Sequence, residues 1–208
     1  MGSFKALVRR SPFFPAAREI YGCLWGLGHR LGFGEVPAPH AYKQRVVKSF
    51  GRRFELTTLV ETGTYMGHML DAVRGRFDRV YSIELDDALF DAAQRRFRMD
   101  RHVHILQGDS GELLPRVLAE LDAPALFWLD AHYSGPGTGG EDANPVEREV
   151  LMVLRDGVRN HVLLIDDARE FTGSDGYPTL DRLRGLVEEN RPDMSMSVDA
   201  DIIRIIPR

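Results

Sequence analysis

Acidic residues lie at the predicted end of each of the five parallel strands in this 208-residue chain. They are Glu61, Glu84, Asp109, Asp130 and the adjacent pair Asp166 and Asp167. In open α/β sheets, ligands bind beyond the carboxyl ends of the strands, so these side chains are the first candidates for chemistry. Glu84, at the end of the second strand, suits a ribose because its two oxygens can accept hydrogen bonds from both hydroxyls.

A glycine turn joins the first of these strands to a helix. The stretch from Thr58 to Met69 reads T-L-V-E-T-G-T-Y-M-G-H-M. The glycines would let the backbone approach a ligand closely. The alternative is that they serve only the packing of the fold. The spacing is G-x-x-x-G after an acid, whereas dinucleotide-binding enzymes have G-x-G-x-x-G. The pattern therefore fits a cofactor with a cationic amino-acid part better than a pyrophosphate.

Short β-rich runs alternate with longer helical patterns from Thr58 onward. Strands are predicted at 58–61, 79–84, 103–107, 125–130, 161–166, 194–199 and 202–206, and helices at 67–76, 87–98, 111–121, 145–156 and 179–190. Such alternation indicates right-handed βαβ units and a parallel sheet. The last two strands are too close in sequence for a helix between them. We therefore expect an α/β fold with a mostly parallel, seven-stranded sheet, an antiparallel C-terminal hairpin and helices on both faces.

Three motifs in this frame resemble those of class I S-adenosylmethionine-dependent methyltransferases. They are E-T-G-T-Y-M-G at 61–67, S-I-E-L-D at 82–86 and Q-G-D-S at 107–110. The resemblance includes the helix that begins at His40 and the terminal hairpin of that Rossmann-like fold. W-L-D-A-H and L-I-D-D-A are similar to the acid pairs of metal-assisted O-methyltransferases of the catechol and macrolide-sugar types. The I-D-D run is closer to the sugar enzymes.

The resemblance implies a role for each matching residue. The first motif would line the methionine part of S-adenosylmethionine through Glu61, Gly63, Thr64, Tyr65 and Gly67, with Glu61 near the ammonium group. Glu84 would hold the ribose hydroxyls, and Asp109 and Ser110 would lie at the adenine. His40 and Tyr42, in the helix before the first motif, would close over the cofactor.

The same resemblance implies that Asp130, Asp166 and Asp167 bind a divalent metal. Three converging carboxylates repel one another unless a cation neutralises them. Oxygen ligands without a nearby cysteine favour Mg²⁺ or a similar divalent cation over zinc. The metal would fix a substrate hydroxyl and favour its alkoxide, in line with the cofactor methyl group. The alternative is that Asp166 or Asp167 only caps the following helix.

The general base departs from the catechol-type pattern, in which a lysine follows soon after the first metal-binding acid. This chain has no lysine after Lys48. His132, two residues after Asp130, is the nearby residue type that titrates near neutral pH. It is our candidate catalytic residue, together with Asp130. The alternative is a histidine that only hydrogen-bonds the loop.

A long glycine-rich loop, 134–144, leaves the predicted site. Long loops in compact domains are usually functional, so we interpret it as a substrate lid hinged at its glycines. Tyr133, Glu170 and Tyr177 are the predicted substrate contacts. The last two belong to the segment after the fifth strand, which would form the facing wall.

Charge sets the first quarter of the chain apart. The net charge is −4, yet residues 1–53 carry +8 and residues 54–208 carry −12. We predict a basic helical appendage over 1–53 and a methyltransferase domain over 54–208. Apolar residues recur at helical spacing in the appendage, at Ile20, Leu24, Leu27 and Leu31. This helix would pack on the core or across a homodimer. Peripheral contact with an anionic membrane is the alternative.

Composition favours a cytoplasmic protein. Cys23 is the single cysteine, so no intrachain disulfide can form. No apolar run reaches the roughly 18 residues of a membrane span, and we expect no signal peptide.

The sequence thus predicts an O-methyltransferase acting on a hydroxyl of a small molecule, preferably a sugar or glycan. A catechol-like phenol is the alternative acceptor. A non-catalytic protein that binds S-adenosylmethionine and uses its basic arm on nucleic acid or membrane is the alternative of another class. We do not expect a nucleic-acid substrate, because the acidic core would repel phosphates. Gly108-Asp109-Ser110 does not indicate a hydrolase, since a serine nucleophile needs a histidine and an acid arranged around it.

Overall fold

The computed structural model describes residues 14–31, 37–130 and 145–208, and every structural statement below refers to them. The strands are β1 Thr58–Thr62, β2 Arg79–Glu84, β3 Val103–Gln107, β4 Leu126–Leu129, β5 Val162–Ile165, β6 Met194–Asp199 and β7 Ile202–Pro207. The helices are α1 Phe14–Arg30, α2 His40–Arg53, α3 His68–Val73, α4 Asp87–Phe97, α5 Ser110–Ala119, α6 Val146–Arg155 and α7 Leu180–Asn190. Short 3₁₀ turns follow α3 and β5, at Arg74–Arg76 and Ala168–Glu170.

The described strands form one seven-stranded sheet in the order β3-β2-β1-β4-β5-β7-β6. The first five strands pair in parallel, and β7 runs antiparallel to both β5 and β6. This confirms the predicted parallel sheet and its antiparallel C-terminal hairpin. The chain moves outward from β1 to β3, then crosses back to β4 on the other side of β1. The order of the strands therefore reverses between β1 and β4.

The inner strands are apolar throughout because both faces of the sheet are covered. Every residue of β4 and β5 is buried. Successive side chains point to opposite faces. Phe127 and Leu163 pack in a cluster with α5, α6 and α7, whereas Trp128 and Leu164 pack in a cluster with α2, α3 and α4. Two hydrophobic layers thus sandwich the sheet, as predicted.

The N-terminal helices pack on this second layer one after the other. α2 buries Val46, Val47 and Phe50 in the cluster. α1 lies against α2 through two glycines, because a Cβ at Gly22 would lie 2.8 Å from the Ala41 carbonyl oxygen and one at Gly26 would lie 2.7 Å from the Tyr42 ring. The predicted domain boundary after residue 53 stays a prediction, although α2, on its N-terminal side, belongs to the packed core.

The outer side of α1 and the residue that follows the helix carry exposed apolar side chains, which we call the α1 stripe: Ile20, Tyr21, Leu24, Leu27 and Leu31. No helix among the described residues is both long and apolar enough to cross a membrane.

Candidate functional site

The candidate site lies where the strand order reverses, at the carboxyl ends of β1, β4 and β5. Such a reversal opens a crevice between the two connections that leave the sheet in opposite directions. The ladder continues one residue beyond the strands, since the Asp130 amide donates to Thr62 and the Asp166 amide donates to Leu129. These two bonds fix Asp130 and Asp166 side by side. The parallel register is therefore what brings the predicted acids together.

Asp130, Asp166 and Asp167 form a compact carboxylate cluster. Each offers an oxygen, and the three oxygens lie within 4.8 Å of one another. Asp166 and Asp167 are buried, and Asp130 is half-buried. Asp167 has a left-handed backbone, with φ 53°, and its side chain makes no capping bond to the 3₁₀ turn that follows. The donor set and its spacing fit a divalent cation, and helix capping does not account for Asp167.

Lys43 of α2 reaches this carboxylate cluster, and the sequence reasoning missed it. Its Nζ lies 2.5 Å from Asp166 Oδ2 and 3.3 Å from Asp167 Oδ1. Burial by itself would lower the pKa of Lys43, but the charges of Asp166, Asp167 and Asp130 outweigh it and raise that pKa above its usual range. Lys43 is therefore an ammonium ion at neutral pH.

Arg169 holds the other side of the cluster. Its Nη1 lies 2.7 Å from Asp167 Oδ1, and it also pairs with the buried Asp201. Two cationic side chains thus bond to Asp167, one from α2 and one from the 3₁₀ turn after β5. Both hold its carboxylate in place.

Glu61, at the end of β1, is a buried acid beside this cluster. Ser82 donates a hydrogen bond of 2.5 Å to Glu61 Oε2, and Thr64 shares a bond of 2.6 Å with the Ser82 hydroxyl. Burial raises the pKa of Glu61 to about 8, the Ser82 bond opposes the rise, and the charges of Asp130 and Glu84 add to it. A cationic group placed here would reverse that shift. The position thus fits the predicted ammonium contact.

Glu84 holds the glycine turn together. Its Oε2 accepts from the Tyr65 amide at 2.7 Å and its Oε1 accepts from the Asp86 amide at 3.0 Å. Gly63, Tyr65 and Gly67 all have positive φ, of 85°, 47° and 66°. Both oxygens of Glu84 keep lone pairs for further donors, so a ribose would meet a carboxylate that is already fixed in place.

Ser110 and the unpredicted Glu149 meet at the start of α5. Glu149, on α6, is fully buried and accepts hydrogen bonds from Ser110 and, at 3.4 Å, from Thr62. Burial raises its pKa to about 7, and the two hydroxyl groups partly offset that rise. Asp109 immediately precedes α5 and is exposed. The Ser110 hydroxyl is thus tied inward, while Asp109 faces outward at the predicted adenine position.

The remaining predicted residues either lie at exposed or half-buried positions or fall outside the described part of the chain. His40 is exposed at the first position of α2, and the Tyr42 ring packs on Trp25 of α1 at 4.7 Å. Glu170 is exposed and pairs with Arg169, and the half-buried Tyr177 packs on Phe171. His132, Tyr133 and the lid at 134–144 lie outside the described residues. The roles given to all of these residues stay predictions.

Comparisons with known proteins support the fold. No protein-family model matches the chain, and no curated protein matches it in sequence. Among solved structures, the O-methyltransferase TomG from Streptomyces achromogenes is 16% identical, with 89% of this chain and 88% of that chain covered and a TM-score of 0.60. An O-methyltransferase from Bacillus cereus is 14% identical, with 92% and 91% covered and a TM-score of 0.60.

An enzyme with a different type of substrate shares the same architecture. The 23S rRNA methyltransferase ErmE is 16% identical, with 79% of this chain and 68% of that chain covered and a TM-score of 0.50. The chain therefore has the fold of class I S-adenosylmethionine-dependent methyltransferases. Fold alone does not select the acceptor.

Proposed function

We propose that the chain is an S-adenosylmethionine-dependent O-methyltransferase that acts on a hydroxyl group of a small molecule. The observation that carries the proposal is that two sets of acids lie at the ends of neighbouring strands, where the strand order reverses. Glu61 and Glu84, at the ends of β1 and β2, flank the glycine turn, and the carboxylate cluster follows β4 and β5. This arrangement suits a cationic cofactor and an acceptor hydroxyl placed next to each other.

In this proposal Glu61 pairs with the cofactor ammonium, and Glu84 binds the ribose hydroxyls. The positive-φ turn at Gly63, Tyr65 and Gly67 lets the backbone lie close to the methionine part. Asp109 and Ser110 are assigned to the adenine end. The bound cofactor supplies an electrophilic methyl group, and the protein orients it toward the acceptor.

Asp130, Asp166 and Asp167 would hold a divalent cation of the Mg²⁺ type. Such an ion would act as a Lewis acid that lowers the pKa of the acceptor hydroxyl. The support is the donor chemistry and the closeness of the three oxygens, which lie within 4.8 Å of one another. We assign the general base to His132, because it lies two residues after Asp130 in the chain and histidine is the residue type that titrates near neutral pH.

The acceptor we favour is a sugar or glycan hydroxyl. The preference rests on the resemblance of the I-D-D run to macrolide-sugar enzymes and on the polar, glycine-rich segment at 134–144. Tyr133, Glu170 and Tyr177 are assigned to the acceptor. A catechol-like phenol is the alternative that the test below separates.

The α1 stripe supports a further proposal, that the protein forms a homodimer. The stripe has five large apolar side chains that are all more than half exposed, from Tyr21 at 54% to Leu31 at 64%. A patch of this kind on a folded domain marks an interaction surface.

We also place the protein in the cytoplasm, on the basis of its single cysteine.

Transfer of a labelled methyl group from S-adenosylmethionine tests the proposal. A panel of free sugars, glycosides and catechols would be assayed with Mg²⁺ and with a chelator. We expect a labelled sugar ether that forms only with the metal present. Asp166→Asn should reduce the rate at least a hundredfold, whereas Asp181→Asn, at an exposed position of α7, should leave it unchanged. Labelling of catechols alone would show that the acceptor is a phenol and not a sugar. Equal rates with and without the chelator would show that the reaction does not need the metal.

A further inference from the structure

Lys43 is held rigidly against the carboxylate cluster. Val46, Val47 and Phe50, one and two helical turns further on, are buried in the core and fix α2. The neighbouring Gln44 donates to the His68 carbonyl at 3.0 Å, which ties α2 to α3. The Lys43 side chain is itself buried, with 8% of its surface exposed. The ammonium is therefore placed at the carboxylates by a packed element.

The contact is a charge-neutralising one. A buried ammonium is stable only when carboxylates surround it, and a buried carboxylate has the same need of a cation. The Lys43 ammonium donates hydrogen bonds to Asp166 Oδ2 at 2.5 Å and to Asp167 Oδ1 at 3.3 Å. Lys48, on the same helix, serves as a contrast, because it pairs with Glu19 of α1 away from the site. Arg169 also pairs with Asp167, and among the described residues Lys43 is the cation that contacts both Asp166 and Asp167.

A divalent cation at the carboxylate cluster would bond to Asp166 and Asp167, the same two carboxylates that Lys43 contacts. Mg²⁺ requires oxygens at about 2.0–2.1 Å in a near-octahedral arrangement. An ion that is bonded to Asp166 and Asp167 would lie within a few ångströms of the Lys43 Nζ, where two positive charges repel strongly in a low-dielectric site. The ammonium and the metal would therefore compete for these two carboxylates.

We propose that Lys43 is the resident cation of the carboxylate cluster and that a divalent metal binds by displacing its ammonium from Asp166 and Asp167. The inference rests on the proposed metal site of the methyltransferase. Lys43 then acts as a positioning residue, since it keeps the acids neutralised and converged while the metal is absent. Lys43 also raises the metal concentration that is needed to occupy the site.

Metal affinity is the first test. Mn²⁺ binding would be measured by electron paramagnetic resonance, with Mg²⁺ as competitor, for the wild-type chain, Lys43→Met, Lys43→Arg and Lys48→Met. We expect Lys43→Met to bind Mn²⁺ at least tenfold more tightly than the wild type. Lys43→Arg, which keeps the charge, and Lys48→Met should bind within about threefold of the wild type. Equal or weaker Mn²⁺ binding by a folded Lys43→Met would overturn the inference.

The wild-type chain permits a second test that needs no folded Lys43 variant. The sequence has only three lysines, Lys5, Lys43 and Lys48, so a proton–nitrogen spectrum of lysine ammonium groups is simple to assign. Lys48→Met removes one signal, and slow hydrogen exchange marks the buried Lys43. We expect Mg²⁺ to move or broaden the Lys43 signal and to leave that of Lys48 in place. Saturation with Mg²⁺ that leaves the Lys43 signal unmoved would overturn the displacement.

Binding of S-adenosylhomocysteine distinguishes failure of the Lys43 displacement from failure of the methyltransferase proposal. If the wild type and Lys43→Met bind this compound but neither binds Mn²⁺, the displacement is wrong and the cofactor assignment stands. If neither binds the compound while Lys43→Met gains Mn²⁺ affinity, the displacement stands and the methyltransferase proposal is wrong.

Discussion

Glu61 and Glu149 are buried carboxyl groups that differ in what they face. Glu61 lies at the end of β1 beside the glycine turn, where the cofactor ammonium is proposed to bind. Glu149 lies beneath the start of α5 and bonds to two hydroxyl groups of the protein. Burial raises the pKa of both. The protonation of Glu61 is therefore expected to change when the cofactor binds, whereas the protonation of Glu149 is expected to change when the chain unfolds.

Cofactor binding should release a proton from Glu61. With a pKa of about 8, Glu61 is largely protonated at pH 7 in the ligand-free protein. An adjacent ammonium favours the carboxylate, so its pKa falls and roughly one proton leaves. The binding enthalpy of S-adenosylhomocysteine at pH 7 should therefore vary with the ionisation enthalpy of the buffer. Glu61→Gln should abolish that variation and Glu149→Gln should keep it. A buffer-independent enthalpy in the wild type would argue against the ammonium contact.

Glu149 should make the fold less stable as the pH rises. Its pKa is about 7 in the folded chain, against an ordinary value of 4.5. Between these values the unfolded chain loses the proton first, so stability is full below pH 4.5 and declines until about pH 7. We expect Glu149→Gln to be more stable than the wild type at pH 8 by on the order of 1–3 kcal/mol, with the gain disappearing near pH 4.

Denaturant unfolding across that pH range measures the effect. The control is Glu147→Gln on the same helix, whose surface ion pair with Arg182 should contribute little at any pH. A gain for Glu149→Gln that is the same at pH 4 and pH 8 would contradict the assignment.

The glycine turn at residues 63–67 is the element that would hold the cofactor in the proposed function. Gly67 is left-handed, with φ 66°, and a Cβ there would lie 2.9 Å from the Phe97 ring of α4. The left-handed region costs other residues about 1–2 kcal/mol, and the contact with Phe97 adds to that cost. We therefore expect Gly67→Ala to lower the free energy of unfolding by roughly 2 kcal/mol or more.

Gly75 offers a matched control for this element. It lies in the 3₁₀ turn after α3, and a Cβ there would meet no atom within 4 Å. Gly75→Ala should change stability by less than about 0.5 kcal/mol in the same urea titration. Equal losses for the two variants would show that Gly67 is not constrained as described.

At the level of the whole molecule, the α1 stripe should control assembly. α1 uses Gly22 and Gly26 to pack on α2, and the side chains of the stripe stay more than half exposed. Replacing Leu24 and Leu27 with glutamate should convert a homodimer into a monomer in sedimentation experiments. Cys23→Ser, an exposed change on the same helix, should leave the dimer intact. A monomeric wild type that binds anionic vesicles would instead support the membrane alternative.

The sequence was sufficient for the sheet, the hairpin and the acids at the strand ends. These follow from local patterns, such as the apolar runs of β4 and β5 and the residue that comes after each. Contacts between distant parts of the chain could not be read in this way. Lys43 and Asp166 are separated by 123 positions, and no local sequence pattern links two residues so far apart.

A charged residue on an apolar helix face is the signal that could have found the missed residues. Lys43 precedes Val46, Val47 and Phe50 at helical spacing, so it lies on the buried face of α2. Glu149 lies between Val146 and Val153 in the same way on α6. Charges at such positions are costly unless a partner lies within reach, and they therefore point to a site.

The most direct test of the central claim is calorimetry with S-adenosylhomocysteine. We predict a micromolar dissociation constant for the wild type. Glu84→Gln should weaken it at least tenfold, because the glutamine side chain replaces one of the two accepting oxygens with an NH₂ group that cannot accept from the Tyr65 or Asp86 backbone N–H, and the exposed Asp91→Asn should not change it. Failure of the wild-type chain to bind the compound would contradict the assignment of the glycine turn and, with it, the proposed methyltransferase function.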